Sequence, residues 1–188
     1  MRCGEPIGKQ DQFAAAFGGF NLFEFLPDNK VDVTPINISS SFLGKLTDSM
    51  LVFFTGKTRS ASKILEVQRK DTSKKSTNVA LSRMAQLAYA FKDSIENEDL
   101  KNLCDILNEN WHLKKNLSEG ITNPFIEEIY ETAISSGANS GKLLGAGAGG
   151  FMVFFAPPEN HIRIKQSLFK LQNQEFRFEN SGSKIIYE

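Results

Sequence analysis

The residues best suited to chemistry lie in a glycine-rich loop near the end of the chain. Gly145, Gly147, Gly149 and Gly150 are four glycines within six positions. Their backbone can adopt positive φ angles, and without side chains the N–H groups stay open to an anion. The apolar run 151–155 follows at once and predicts a buried strand. Two interpretations remain open, an anion cradle fixed to the core or a tight turn between packed elements.

A carboxylate near the start of the chain is the second chemical group. The alanine-rich segment 7–17 predicts a short helix that ends at a pair of glycines. Asp11 lies inside this segment, with Gly8 three residues before it and Ala15 four residues after it on the same helical face. A ligand can therefore approach this carboxylate, although a solvated helical aspartate explains the residue equally well.

A polar turn supplies two cations. The apolar, β-prone residues 50–54 predict a strand, and the turn 55–60 leads into a predicted helix over 61–70. N–H groups at a helix N-terminus lack partners, and Lys57 and Arg59 stand beside them, so this turn can hold a phosphate or carboxylate. The alternative is an ordinary turn with two solvated cations, and the spacing is not that of a nucleoside-triphosphate P-loop.

The remaining segments must position these groups. Apolar residues at strand or helix spacing predict the other elements: a hairpin over 20–26 and 31–38, helices over 76–97, 100–117, 124–136 and 161–171, and closing strands over 176–178 and 184–187. The polar segment 39–48 is predicted to connect two domains. Trp111 is expected to pack in a core, whereas Lys114, Lys115 and His161 are expected at the surface.

This order of elements predicts the α+β class. From residue 50 the chain runs strand, helices, strand, helix, strand, strand. The pattern indicates a ferredoxin-like split βαβ domain with a helical insertion, in which helices pack on one face of an antiparallel sheet.

Composition excludes several classes of protein. Lysine plus arginine equals aspartate plus glutamate at 22 each, so no long-range field draws in nucleic acid or an anionic membrane. The sequence has neither an apolar stretch of transmembrane length nor an N-terminal signal region. Its two cysteines, Cys3 and Cys104, are far apart, which argues against a disulfide framework or zinc site. We therefore expect a cytoplasmic protein.

Taken together and in order, these motifs resemble the C-terminal part of the GHMP kinases, the family of galactokinase, homoserine kinase and mevalonate kinase. The motifs are Asp11 within Gly-Lys-Gln-Asp-Gln, the hairpin, Thr55-Gly56-x-x-Arg59, and the glycine loop. The likeness covers essentially the whole chain and is nearest to bacterial kinases of glycero-manno-heptose 7-phosphate and related fucose-type kinases. It implies that residues 1–38 are the end of the family's N-terminal domain and that residues 39–188 are its C-terminal domain.

The resemblance also implies roles for individual residues. Asp11 matches the catalytic aspartate, which accepts or orients the proton of a sugar hydroxyl, expected to be the anomeric one on a route to nucleotide-activated heptose. The loop, with its glycines and with Ala146 and Ala148 between them, matches the motif beside the nucleotide phosphates. The implied ligands are a small sugar or sugar phosphate, with ATP and Mg²⁺ for the complete enzyme. Our own hypothesis places Gly8, Lys57 and Arg59 at the substrate, with the two cations holding its phosphate.

The departures from the family pattern qualify this expectation. The family's Pro-x-x-x-Gly-Leu-Gly-Ser-Ser-Ala loop, which binds ATP, is absent from the sequence. We therefore expect the chain, as part of a split or shortened kinase, to be inactive without an N-terminal domain or a second chain. Ala148, where relatives commonly have glycine, is expected to fit if it keeps a negative φ. The alternatives are a non-catalytic sugar-phosphate-binding module, a degenerate relic, and an α+β protein with an ordinary glycine turn. Apolar area left exposed favours a homodimer.

Overall fold

The computed structural model describes residues 8–57 and 75–187. The helices are α1 (Gln10–Phe17), α2 (Ser40–Ser49), α3 (Lys75–Glu96), α4 (Leu100–Lys115), α5 (Pro124–Ser135) and α6 (His161–Ser167), and a 3-10 turn spans Pro158–Asn160. The strands are β1 (Asn21–Phe25), β2 (Val31–Pro35), β3 (Met50–Phe54), β4 (Ser140–Leu143), β5 (Phe151–Phe155) and β6 (Gln172–Asn173). The helix predicted over 61–70, and Arg59 before it, lie outside the described residues.

A four-stranded antiparallel sheet forms the centre of the molecule. Its strand order is β4-β5-β3-β6, and the middle pair is in a register that places Val52 opposite Val153. This is the order of a ferredoxin-like sheet, and it brings the first long strand of the domain beside the strand that follows the glycine loop. The predicted α+β class is confirmed.

Both faces of this sheet are covered by helices. Alternate residues of β3 and β5 belong to two separate apolar clusters, one containing Phe53 and Phe154 and the other containing Val52 and Val153. Helices α5 and α6 pack on the first face, and α2, α3 and α4 contribute to the second. The expectation that helices cover only one face was therefore wrong, because β3 and β5 are continuously apolar rather than alternating.

Helix α2 replaces the predicted polar connection over 39–48. Ser39 caps this helix, since its side chain accepts a hydrogen bond from the Phe42 N–H at 3.0 Å. Phe42 and Leu46, four residues apart, are buried in the core. The segment is polar on its other faces, and this concealed its helical period in the sequence.

The C-terminal tail differs most from prediction. The structure has no strand over 176–178 or 184–187, and the fourth strand of the sheet is the two-residue β6. Phe176 and Phe178 pack as side chains beside the second apolar cluster, where Phe178 contacts Phe20. Their alternation therefore serves packing without backbone pairing. Helix α6 also ends four residues earlier than predicted, at Ser167.

A small two-stranded sheet carries helix α1. Strands β1 and β2 pair antiparallel, with Phe23 opposite Val33, as the hairpin prediction required. Helix α1 lies on β1 through Phe13, whose ring is 5.9 Å from that of Phe23 and 5.5 Å from that of Phe25. The tail holds its other end, where the Ser183 N–H donates to the carbonyl of Ala15 at 3.1 Å. Within the described ranges, no helix is both long enough and apolar enough to span a membrane.

Candidate functional site

The glycine loop connects β4 to β5 through residues 144–150. Gly145, Gly147, Ala148 and Gly150 all have positive φ, at 72°, 123°, 63° and 104°. The condition under which Ala148 was expected to fit, a negative φ, is therefore not met. The reason is local, since its N–H donates to the Ile121 carbonyl at 2.8 Å and the residue is only 2% exposed.

The end of β3 holds one side of the loop. The buried Thr55 hydroxyl donates to the Gly150 carbonyl at 2.9 Å and accepts from the Gly150 N–H at 3.0 Å. The same N–H also donates to the Lys57 carbonyl at 2.9 Å. At Gly149 a Cβ would lie 2.6 Å from that carbonyl, so only glycine fits there without a shift. The Thr55-Gly56-Lys57 motif is thus a fastening for the loop.

The segment before α5 holds the opposite side. A Cβ at Gly147 would lie 2.9 Å from both the Cα and the carbonyl oxygen of Ile121, which is fully buried. Asn123 caps α5 by accepting from the Ile126 N–H at 3.1 Å, and its amide group donates to the Ala148 carbonyl at 3.4 Å. The loop is therefore packed directly against the start of a core helix.

A lysine from α4 completes the support. Lys114 Nζ donates to the carbonyl of Gly145 at 2.6 Å and to that of Leu143 at 3.4 Å. Burial, together with the charge of the neighbouring Lys142, lowers the pKa of Lys114 to about 8. The prediction of a surface charge was wrong for Lys114, which lies on the inner side of its helix. Lys115 is also only partly exposed, and it pairs with Glu127 at 3.0 Å.

These fastenings leave several loop amides available. Over residues 8–57 and 75–187, the N–H groups of Gly145, Ala146, Gly147 and Gly149 make no hydrogen bond with the protein, whereas those of Leu144, Ala148 and Gly150 do. Consecutive free N–H groups in such a turn form a concave site for an anion, and phosphate oxygens are the ligands that match it. Contacts from Thr55, Ile121 and Lys114 therefore hold the loop that carries these donors.

The predicted catalytic carboxylate lies on a different part of the molecule. Asp11 is exposed in the first turn of α1, and within the described part of the chain no hydrogen bond or ion pair joins it to the loop. Gly8 is exposed as well, with open space around its Cα. Lys57 does reach the loop, through its carbonyl, while its Nζ sits 4.3 Å from the centre of the Phe125 ring. Lys57 is thus hydrogen-bonded to the loop, whereas the places of Asp11 and Gly8 in the site stay predictions.

A cleft of about 400 Å³ runs between β1 and helices α3 and α4, beside α1. Its lining includes Ala14, one helical turn after Asp11, and Lys142 of β4, which is two residues before the loop. Lys142 Nζ donates to the Asn110 side-chain oxygen at 2.8 Å. Sequence reasoning missed this pair because β4 is short and polar and was not predicted as a strand.

The described residues suit phosphate better than metal. They include no group of three or more His, Cys, Asp or Glu side chains placed to hold a metal ion. The free amides of the loop, in contrast, fit the phosphate groups of a nucleotide or of a sugar phosphate. This chain's contribution to a phosphate-handling site is therefore made of N–H donors and lysines.

Comparison with known proteins gives the family. The family model described as "GHMP kinases C terminal" matches residues 91–172, which include α4, α5, β4, β5 and the glycine loop. The chain carries a GHMP kinase C-terminal domain. The resemblance to this family is thereby confirmed, and the matched part includes the glycine loop.

Individual relatives of this GHMP kinase domain are sugar kinases. The D-glycero-alpha-D-manno-heptose 7-phosphate kinase of Campylobacter jejuni is 38% identical over 179 residues, which cover 94% of this chain and 53% of that protein. The crystal structure of a Campylobacter jejuni sugar kinase matches with a TM-score of 0.66 and 35% identity, over 93% of this chain and 50% of that one. The crystal structure of a D-glycero-D-manno-heptose 1-phosphate kinase from Bacteroides thetaiotaomicron matches with a TM-score of 0.62 and 28% identity. The match covers 96% of this chain and 50% of that one. The chain thus spans about half the length of these relatives.

Proposed function

We propose that this chain provides the catalytic and acceptor-binding part of an ATP-dependent sugar kinase. The observation that supports the proposal most is the glycine loop, whose free N–H groups are held in place from three sides. A loop of this kind stabilises negative charge where phosphate groups meet, which is the main task of a phosphoryl-transfer site. The substrate is a heptose 7-phosphate, as in the 38% identical relative, and the acceptor is its anomeric hydroxyl.

Each residue then has a definite task. The amides of Gly145, Ala146, Gly147 and Gly149 bind phosphate oxygens and keep water from solvating them. The Asp11 carboxylate accepts or orients the proton of the sugar hydroxyl, which becomes the attacking oxygen. Mg²⁺, when bound with ATP, neutralises phosphate charge.

The proposal requires a second polypeptide segment. The sequence holds no Gly-Leu-Gly-Ser-Ser loop for the nucleotide, and phosphoryl transfer depends on positioning both partners. That segment, from an N-terminal domain or another chain, also brings nucleotide and metal ligands to Asp11. With two cysteines and no long apolar run in the sequence, the cytoplasm is the expected compartment.

A binding module for sugar phosphates is the second candidate. It is favoured by one observation, the exposure of Asp11 and the lack of any bond between this residue and the loop in the described structure. A module of this kind would hold the ligand in the cleft without transferring phosphate.

The two candidates are separated by a complementation assay. The full chain is mixed with the N-terminal half of the Campylobacter jejuni relative, and ATP-dependent phosphorylation of heptose 7-phosphate is followed. We expect turnover, and a decrease of roughly a hundredfold or more in kcat for Asp11→Asn. Asp32→Asn, which changes an exposed carboxylate on β2, is the matched control and should leave kcat unchanged. Binding of heptose 7-phosphate without turnover would support the module instead, and an unchanged kcat for Asp11→Asn would remove its catalytic role.

A further inference from the structure

The cleft beside α1 contains a cation, Lys142, that has no neutralising partner among the described residues. Lys142 lies on the second face of the sheet, opposite Val153 in the register, and its side chain is only partly exposed. Its hydrogen-bond partner is the neutral amide of Asn110 at 2.8 Å. Over the described ranges, no carboxylate lies within 4.0 Å of Lys142, or of Lys114 one helical turn beyond Asn110.

Other lysines of the neighbouring helices show the contrast. Lys92, Lys101 and Lys115 each have a carboxylate within 3.0 Å, namely Glu96, Asp105 and Glu127. Water already solvates the charge of Lys101, whose side chain is 87% exposed, so its carboxylate partner matters least. Lys142 of the cleft lining and Lys114 beside the glycine loop, both half-buried, have no such carboxylate among the described residues.

This arrangement has an electrostatic cost. Burial lowers the pKa of Lys142, and it lowers the pKa of Lys114 with a further contribution from the charge of Lys142. Two partly buried like charges repel each other and lose hydration, and an anion placed between them would relieve both effects. Asn110 adds side-chain N–H donors at the same place.

The position of Lys142 and Asn110 connects them with the proposed reaction. The cleft that contains Lys142 and Asn110 also includes Ala14, on the face of α1 that bears Asp11. Two residues after Lys142 the chain enters the glycine loop. A ligand in this cleft can therefore lie between α1 and the strand that leads to the loop.

We propose that Lys142, together with Asn110, binds the phosphate group that a sugar-phosphate substrate already carries. The proposal rests on the proposed function for its choice of ligand and adds the residues that select a phosphorylated sugar over a free one. Lys57, with its ammonium group over Phe125 and its carbonyl on the loop, has no part in this subsite.

The test measures binding and needs neither ATP hydrolysis nor turnover. Heptose 7-phosphate, unphosphorylated heptose, inorganic phosphate and ATP are titrated separately into the full chain and followed by NMR or calorimetry. We expect Lys142→Gln to weaken binding of heptose 7-phosphate and inorganic phosphate by roughly tenfold or more, and to leave the free sugar unaffected. Lys101→Gln, an exposed change on α4, is the control and should leave all four ligands unaffected.

A second variant separates binding from a merely structural role. Asn110→Asp places a carboxylate 2.8 Å from the ammonium group, so the pair within the protein becomes stronger while the site loses its charge. We expect phosphate binding to fall by about as much as in Lys142→Gln, with a melting temperature that is equal or higher. If Lys142 had only a structural role, Asn110→Asp would leave phosphate binding unchanged or improve it.

Several outcomes would overturn the proposal. These are an equal loss for phosphorylated and free heptose, no loss for either, or a loss confined to ATP, which would assign the lysine to the nucleotide. A failed complementation assay with intact, Lys142-dependent binding of heptose 7-phosphate would sink the kinase proposal alone. Turnover of heptose 7-phosphate that does not depend on Lys142 would sink the subsite alone.

Discussion

The glycine loop and helix α1 carry the two halves of the proposed chemistry, and they are held very differently. The loop is fastened by β3, by the segment at Ile121 and by Lys114, all of which belong to the main core. Helix α1 has no buried residue and is held by one aromatic cluster and a few bonds to the C-terminal tail. The loop therefore has the more numerous and more deeply buried contacts of the two regions.

This difference has a physical reason. Free N–H donors stabilise developing charge only if they are already oriented, because reorienting them during the reaction would cost the energy that they supply. A carboxylate on a helix needs only to reach the substrate hydroxyl, and closure over the ligand can bring it there. The loop should therefore be sensitive to small changes, and α1 tolerant of them.

The largest effect is expected from Gly147→Ala. The new methyl would lie 2.9 Å from the Ile121 backbone, at a residue whose φ of 123° L-residues rarely adopt. We expect the free energy of unfolding to fall by about 3 kcal/mol, as measured by urea denaturation. Gly145→Ala is the matched control, because its Cβ would meet open space at a φ of 72°, and it should cost about 1 kcal/mol. Equal losses would mean that packing on Ile121 does not hold the loop.

A smaller and local effect is expected from Phe13→Ala. Its ring contacts Phe17, Phe23 and Phe25 but stays partly exposed, so its loss should cost about 1 to 2 kcal/mol. Because the cluster is separate from the sheet, amide exchange should accelerate in α1 and β1 and remain unchanged in residues 144–150. Phe169→Ala is the control, since that ring is 74% exposed. Faster exchange in the loop would show that the two regions are coupled, contrary to the comparison.

The sequence predicted the local elements of both regions but not the side chains that face the cleft. Four glycines before an apolar run give a strong local signal, and the hairpin and α1 were likewise visible in the alternation and in the glycine pair. Lys114 and Lys142 gave no such signal, because whether a lysine faces a cleft depends on how α4 lies against β4. The tail shows the same limit, since the alternation of Phe176 and Phe178 cannot distinguish strand pairing from side-chain packing. Residue spacing along the chain predicted helices, strands and turns. Which residues line the cleft depends on contacts between segments that are distant in sequence.

The smallest effect is a pH dependence that Lys114 gives to the rigid region. The pKa of Lys114 is about 8 in the folded chain and near its ordinary value of 10.5 when unfolded. Between these values the unfolded state holds a proton that the folded state has released, so the free energy of unfolding rises with pH. A neutral amine still has two N–H donors for the carbonyls of Gly145 and Leu143, and the loop support therefore survives deprotonation.

Comparison with Lys114→Met isolates this contribution. Urea denaturation of both proteins at pH 7.5 and at pH 10 gives their difference in unfolding free energy, in which titrations common to both cancel. We expect the free energy of unfolding of the native chain to rise relative to that of the variant as the pH rises from 7.5 to 10. A difference that stays constant would place the Lys114 ammonium in water, and one that falls would mean that an anionic group lies beside it. In either case Lys114 would not be the buried, uncompensated lysine that supports the loop, and the difference between the loop and α1 would be smaller than described.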